Sequence, residues 1–167
     1  MTGRRTRRAF LAGAMLLTLL ATGCGVRPSG VITGRPAVSG PSRGIGLYLL
    51  SQGELTLVLR PSKADAPPAE TLVLLAAGLD ESERSQGFTS EVPVDVAPVM
   101  VTPGADRSGG LTVRTTSAAR SLSANAADQI ICTVADAAAR IGLATTFAEV
   151  TIVGPDGARK PRPCPIR

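Results

Sequence analysis

The sequence predicts an α+β fold: a mixed or antiparallel sheet with two helices packed on one face, in the order ββα-ββ-αβ. Three observations lead there. Ile45–Leu50 and Leu55–Leu59 are apolar runs separated by Ser51-Gln52-Gly53-Glu54, a hairpin pattern with a turn between two strands. Ser123–Ile141 repeats apolar residues at helical spacing. Leu111–Thr115 and Glu149–Val153 alternate with the period of a strand on either side of that helix. Helices that bury one face against such a sheet give a layered α+β domain.

The chain opens with Arg4, Arg5, Arg7 and Arg8, followed by the apolar run Phe10–Leu20 and small residues up to Gly23-Cys24. A cationic start, a short apolar run and small residues before a cut site make a secretory signal. The run is short for a membrane span of about 20 residues, so an uncleaved anchor is the lesser alternative. Leu19-Leu20-Ala21-Thr22-Gly23-Cys24 resembles a bacterial lipobox. That resemblance makes Cys24 the first residue of the mature chain and the carrier of a diacylglyceryl group, whose two acyl chains anchor stably. Thr6-Arg7-Arg8-Ala9-Phe10-Leu11 resembles the twin-arginine export signal, with Arg7 and Arg8 as the pair; an ordinary basic leader is the alternative.

Gly, Pro and Ser punctuate Gly25–Gly44 too often for a regular element. The stretch reads as a tether, which as a flexible coil would span roughly 25 Å; Val31-Ile32 packing back on the domain is the other possibility. The hairpin follows and ends at Arg60-Pro61. Asp65-Ala66-Pro67-Pro68 then starts a helix, with Glu70 in its first turn and Leu72, Leu75, Ala76 and Leu79 on one face. Gly78 breaks it, and Asp80–Arg84 makes a short charged turn that reads as a solvated face rather than a metal or catalytic cluster. Val94–Val101 alternates but carries Pro98, which confines it to a sheet edge or a loop. In the last helix Ala127, Ile130, Ile131, Val134, Ala138 and Ile141 form the buried stripe. Gln129, Thr133, Asp136 and Arg140 are expected opposite it, with Asp136 and Arg140 paired at i,i+4. Gly154-Pro155-Asp156-Gly157 ends the final strand. The expected organisation is therefore a signal peptide at 1–23, a lipid-anchored tether at 24–44, a domain at 45–154 and a basic, proline-rich tail at 155–167.

Charge narrows the function. The chain has 18 Lys and Arg against 13 Asp and Glu, but residues 1–23 hold four of the Arg and no acid. The remaining 14 cations nearly balance 13 anions, so overall charge gives no support to nucleic-acid binding. There is no Trp, one Tyr and three Phe. Tyr48, Phe88 and Phe147 read as core residues rather than carbohydrate-stacking platforms. With Cys24 lipidated, Cys132 and Cys164 remain; an even pair in an exported chain reads as a disulfide pinning the tail to the last helix, with free thiols as the alternative. The cysteine spacing fits no zinc site.

Four stretches carry a family resemblance. They are Leu47-Tyr48-Leu49-Leu50 with Gly53-Glu54-Leu55; Leu72–Gly78 followed by Glu83, Gly87, Phe88 and Glu91-Val92-Pro93; Asp128-Gln129-Ile130-Ile131-Cys132-Thr133; and Val150–Gly154. In this order they resemble the GerMN domain, the sporulation and spore-germination module of bacterial envelope lipoproteins, in its short single-domain form. The resemblance implies a fold similar to ring-building modules of secretion assemblies and no established catalytic residues. The expected function is thus a non-catalytic interaction module on the extracytoplasmic face of the cell membrane. It would be held by the lipid on Cys24 and dock on an envelope protein: a sensor, a cell-wall enzyme or a second copy. A small-ligand or wall-fragment binder is the alternative. No cofactor and no metal are expected. A hydrolase is disfavoured, since serine chemistry usually needs a His and the chain has none.

Overall fold

The computed structural model describes residues 44–97, 99–104 and 109–166. Cys24, Arg7, Arg8, the expected signal peptide and the expected tether up to residue 43 lie outside the described residues, as does Pro98.

β1 (Gly44–Ser51) and β2 (Glu54–Pro61) pair antiparallel along their whole length, Gly44 opposite Pro61 and Ser51 opposite Glu54. Gln52 and Gly53 form the two-residue turn with φ of 53° and 85°. Positive φ at both central positions gives a turn whose twist matches that of the strands. β1 takes up Gly44, one residue more than the sequence assigns to the domain.

Helix α1 (Pro68–Ala76) has proline in its first turn as expected, but its cap residue is Pro67 rather than Asp65 and supplies no side-chain bond. Thr71 Oγ1 donates to the Pro67 carbonyl at 3.1 Å. Leu72, Leu75 and Ala76 are buried as expected, whereas Leu79 lies beyond the helix and is half-buried. α2 (Glu81–Ser85) is a third helix where the sequence suggests only a turn. Asp80 caps it, and Asp80 and Glu83 exchange backbone and side-chain bonds in a capping box. Two residues, Phe88–Thr89, form β3 against the end of β1.

Val94–Val96 is a single 3₁₀ turn rather than the start of a strand. β4 (Met100–Pro103) follows and lies at a sheet edge, where a proline-containing strand belongs. β5 (Leu111–Arg114), α3 (Ala124–Arg140) and β6 (Val150–Gly154) form a βαβ unit, since β5 and β6 pair in parallel. The tail adds β7 (Gly157–Ala158), which folds back antiparallel on β6; β6 is therefore not the last strand. Gly154 is needed at the end of β6, because a Cβ there would meet the Ser117 carbonyl oxygen and the Ala119 nitrogen at 2.4 Å.

The α+β class stands, with the strands divided into two sheets: β2-β1-β3, antiparallel, and β4-β5-β6-β7, mixed. α1 and α3 pack on each other and link the sheets, α3 touching β1 and β6 and α1 touching β1 and β4. One core runs through all of them, from Leu47 and Leu49 through Leu72, Leu75, Ile130 and Val134 to Leu111, Val113, Val150 and Ile152.

Candidate functional site

The division into two sheets has a local cause, and it involves residues expected at the surface. Gln129 and Thr133 are fully buried on α3 and lie along the edge of β1 that β3 leaves open. The Tyr48 N–H donates to Thr133 Oγ1 at 3.0 Å, and Gln129 Nε2 donates to the Tyr48 carbonyl at 2.9 Å. Gln129 Oε1 accepts from the Glu91 N–H at 2.9 Å. Two helix side chains thus satisfy backbone groups that a neighbouring strand would otherwise pair. The sign in the sequence was composition: α3 carries only three charged residues in seventeen, too few for a helix with a fully solvated face.

Other positions behind the resemblance also serve as latches. Glu83, expected on a solvated face, is only 2% exposed. Its carboxylate accepts from Arg60 Nε and Nη2 at 2.8 and 2.7 Å, while Arg60 Nη2 also donates to the Gly78 carbonyl at the end of α1. The Arg60 guanidinium, helped by the Asp80 N–H, holds the Glu83 carboxyl below its ordinary range despite burial. Glu91 accepts from Ser123 and Asn125 at the first turn of α3, and these bonds lower its pKa. Cys132 and Cys164 form the disulfide, with an S–S distance of 2.00 Å, tying the tail to α3. Asp136 and Arg140 pair at 2.6 Å as expected.

What these latches leave exposed is the outer edge of β2. The two-residue turn makes Ser51 and Glu54 the first hydrogen-bonded pair, so Glu54, Thr56, Val58 and Arg60 bond to β1. Leu55, Leu57 and Leu59 consequently aim their N–H and C=O groups outward, and among the described residues no strand pairs with that edge. The side chains of Leu57 and Leu59 stand on the sheet face away from the core, 40% and 37% exposed. Edge strands are usually blunted by charge, proline or a bulge. Here Pro61 stands at the far end, and the cation of the strand itself, Arg60, is turned to Glu83.

Leu57 lies directly opposite Tyr48, and Tyr48 lines a cleft of about 190 Å³ with Ala135, Asp136, Phe147, Ile166 and the disulfide. Edge and cleft adjoin at Tyr48, with the Asp136–Arg140 pair beside them. Burial raises the Tyr48 pKa, and Asp136 adds to the effect. Phe147, expected in the core, is 69% exposed at the rim; Tyr48 and Phe88 are half-buried. Ile141 is exposed too, because α3 ends at Arg140 and the chain turns through Gly142 at φ 71°. Phe147 follows Thr145-Thr146 in a stretch without helical or strand periodicity, so nothing in the sequence gave its orientation.

An open groove of about 550 Å³ beside Glu91 is lined by Asp95, Ser117 and Ser123, but Glu91 is engaged as the α3 latch. Gly40-Pro41-Ser42-Arg43-Gly44 fits the Gly-x-Ser-x-Gly pattern of serine hydrolases. Its serine lies outside the described residues, and that chemistry usually needs a His as base, of which the chain has none. Among the described residues no group of three or more metal-binding side chains is placed to hold an ion, and no helix is long and apolar enough to cross a membrane. No protein-family model matches the chain, and no curated protein or solved structure matches it either.

Proposed function

We propose that the chain is a membrane-anchored extracytoplasmic lipoprotein carrying a GerMN-like, non-catalytic protein-interaction module of the cell envelope. The observation that carries this reading is the leucine-lined edge of β2, unpaired among the described residues, next to the Tyr48 cleft. Such an edge supports strand addition: an extended partner segment bonds to the main chain of Leu55, Leu57 and Leu59 and sets alternate side chains against Leu57 and Tyr48. Lipidation at Cys24 rests on the lipobox-like sequence and would hold the module at the membrane where envelope partners are found. The cleft also supports a second reading, binding of a small ligand such as a wall fragment. At about 190 Å³ it is smaller than the roughly 300–1,000 Å³ usual for ligand pockets.

The test is in-cell crosslinking and pull-down of the tagged native protein beside a Cys24→Ala variant. The reading expects lipid labelling at Cys24 and a defined envelope protein crosslinked only to the anchored form. A protein that is membrane-bound yet returns alone contradicts the module reading. A thermal-shift screen with wall fragments then decides the second.

A further inference from the structure

We propose that the pocket formed by Arg120, Arg159, Lys160 and Arg162 binds the phosphate group of a phosphate ester. These four cations line an open concavity of about 340 Å³, on a face built by the loop before α3 and by the tail.

The pocket is preorganised. Arg159 Nη1 donates to the carbonyls of Ala119, Arg120 and Leu122 at 3.1, 3.3 and 2.9 Å, locking the guanidinium to the loop. Arg162 is held by Asp128 at 2.6 Å, and its backbone exchanges bonds with Val150 in both directions. The Arg159 N–H donates to the Ile152 carbonyl at 2.9 Å, and the disulfide at Cys164 pins the chain beyond. Gly157 leaves room for the Arg120 guanidinium, whose Cζ would lie 3.0 Å from a Cβ at that position.

The charges do not balance. Asp128 neutralises Arg162, and Asp156 accepts from the Arg120 backbone N–H at 2.8 Å. Four cations against these two carboxylates leave a local excess of about two positive charges. Among the described residues, neither Arg120 nor Lys160 has an acidic partner within ion-pair distance. Converging unpaired cations repel one another, and an anion of matching charge relieves the repulsion. Arg forks suit the oxygens of a phosphate, and Lys supplies a point charge. No aromatic side chain lines the pocket, so base stacking has no platform there and a single-stranded nucleic acid is the poorer fit. The ester has two possible sources, an anionic lipid headgroup or a soluble phosphomonoester, and the chemistry at the pocket is shared. This inference does not depend on what docks at β2.

The experiment is an amide NMR titration of the full chain in neutral detergent, with three probes: glycerol 3-phosphate, dihexanoyl-phosphatidylglycerol and, as control, acetate. Saturable shifts at Arg120, Gly157 and Lys160 with either phosphate ester are expected, and which of the two binds more tightly identifies the source. The double variant Arg120→Gln/Lys160→Gln should weaken binding about tenfold or more. Both side chains are exposed and make no side-chain bond, so the variant should keep the amide spectrum of the native fold away from the pocket. Absence of saturable shifts, equal binding of acetate, or undiminished affinity in the double variant would overturn the proposal.

Discussion

Gln129 and Glu83 are the two polar side chains on which the fold depends most, for the same physical reason. Each is buried and each joins elements distant in sequence. Gln129→Ala orphans the Tyr48 carbonyl and the Glu91 N–H at once, and should cost about 2–4 kcal/mol in a denaturant titration. Gln129→Glu should do no better, because it replaces the donor facing that carbonyl with an acceptor. For Glu83 the effect is on pH dependence. Its folded pKa lies below the ordinary value of 4.5, so its stabilisation is complete above that value. It is lost as pH falls through 4.5 toward the lowered folded pKa, where the unfolded chain binds the proton first. Acid unfolding followed by circular dichroism should begin below pH 4.5, and Glu83→Gln should flatten that limb without abolishing it, since Glu91 shifts in the same direction. Neither role was legible residue by residue. Gln129 sits next to the apolar stripe with the polarity of a surface residue, and Glu83 sits in a run of four charges; only the partners, Tyr48 and Arg60, some 80 and 20 residues away, assign them to the interior.

Elements were far more legible than these side chains. The hairpin, the strands β5 and β6 and the long helix each have enough repeats of their period to declare themselves. Two-residue strands such as β3 and β7 carry no period at all, and α2 is defined by a capping box rather than by an apolar face. β2 can be tested directly as an edge. Leu57→Pro removes an N–H that faces outward and should change stability by about 1 kcal/mol or less. Val58→Pro removes one that bonds to β1 and should cost about 3 kcal/mol or more in the same thermal melt. Equal losses would show that the edge is not free. The tail is a separate case. The disulfide closes a loop of 32 residues, and on the chain-entropy model its removal by Cys164→Ser should cost about 3–4 kcal/mol. Because the tail also forms β7 and the Val150–Arg162 bridge, hydrogen exchange should increase there before it increases in β1.

At the scale of the molecule, one core supports two chemically different faces. The apolar edge of β2 lies beside the Tyr48 cleft, and four cations converge at the tail although the chain without its first 23 residues is nearly neutral. The α+β class was legible because it follows from element types alone. The number of sheets was not, because it depends on whether the edge of β1 meets a strand or the side chains of Gln129 and Thr133. The proposed mode of docking is that an envelope partner adds a strand to β2. The most direct test places a photoreactive amino acid at Leu57 in living cells and, as control, at Val73, an exposed apolar position on α1. Strand addition should give a discrete adduct from Leu57, none from Val73, and loss of the Leu57 adduct when Leu59→Pro removes the adjacent outward N–H. Equal labelling from both positions, or an adduct that survives Leu59→Pro, would contradict it.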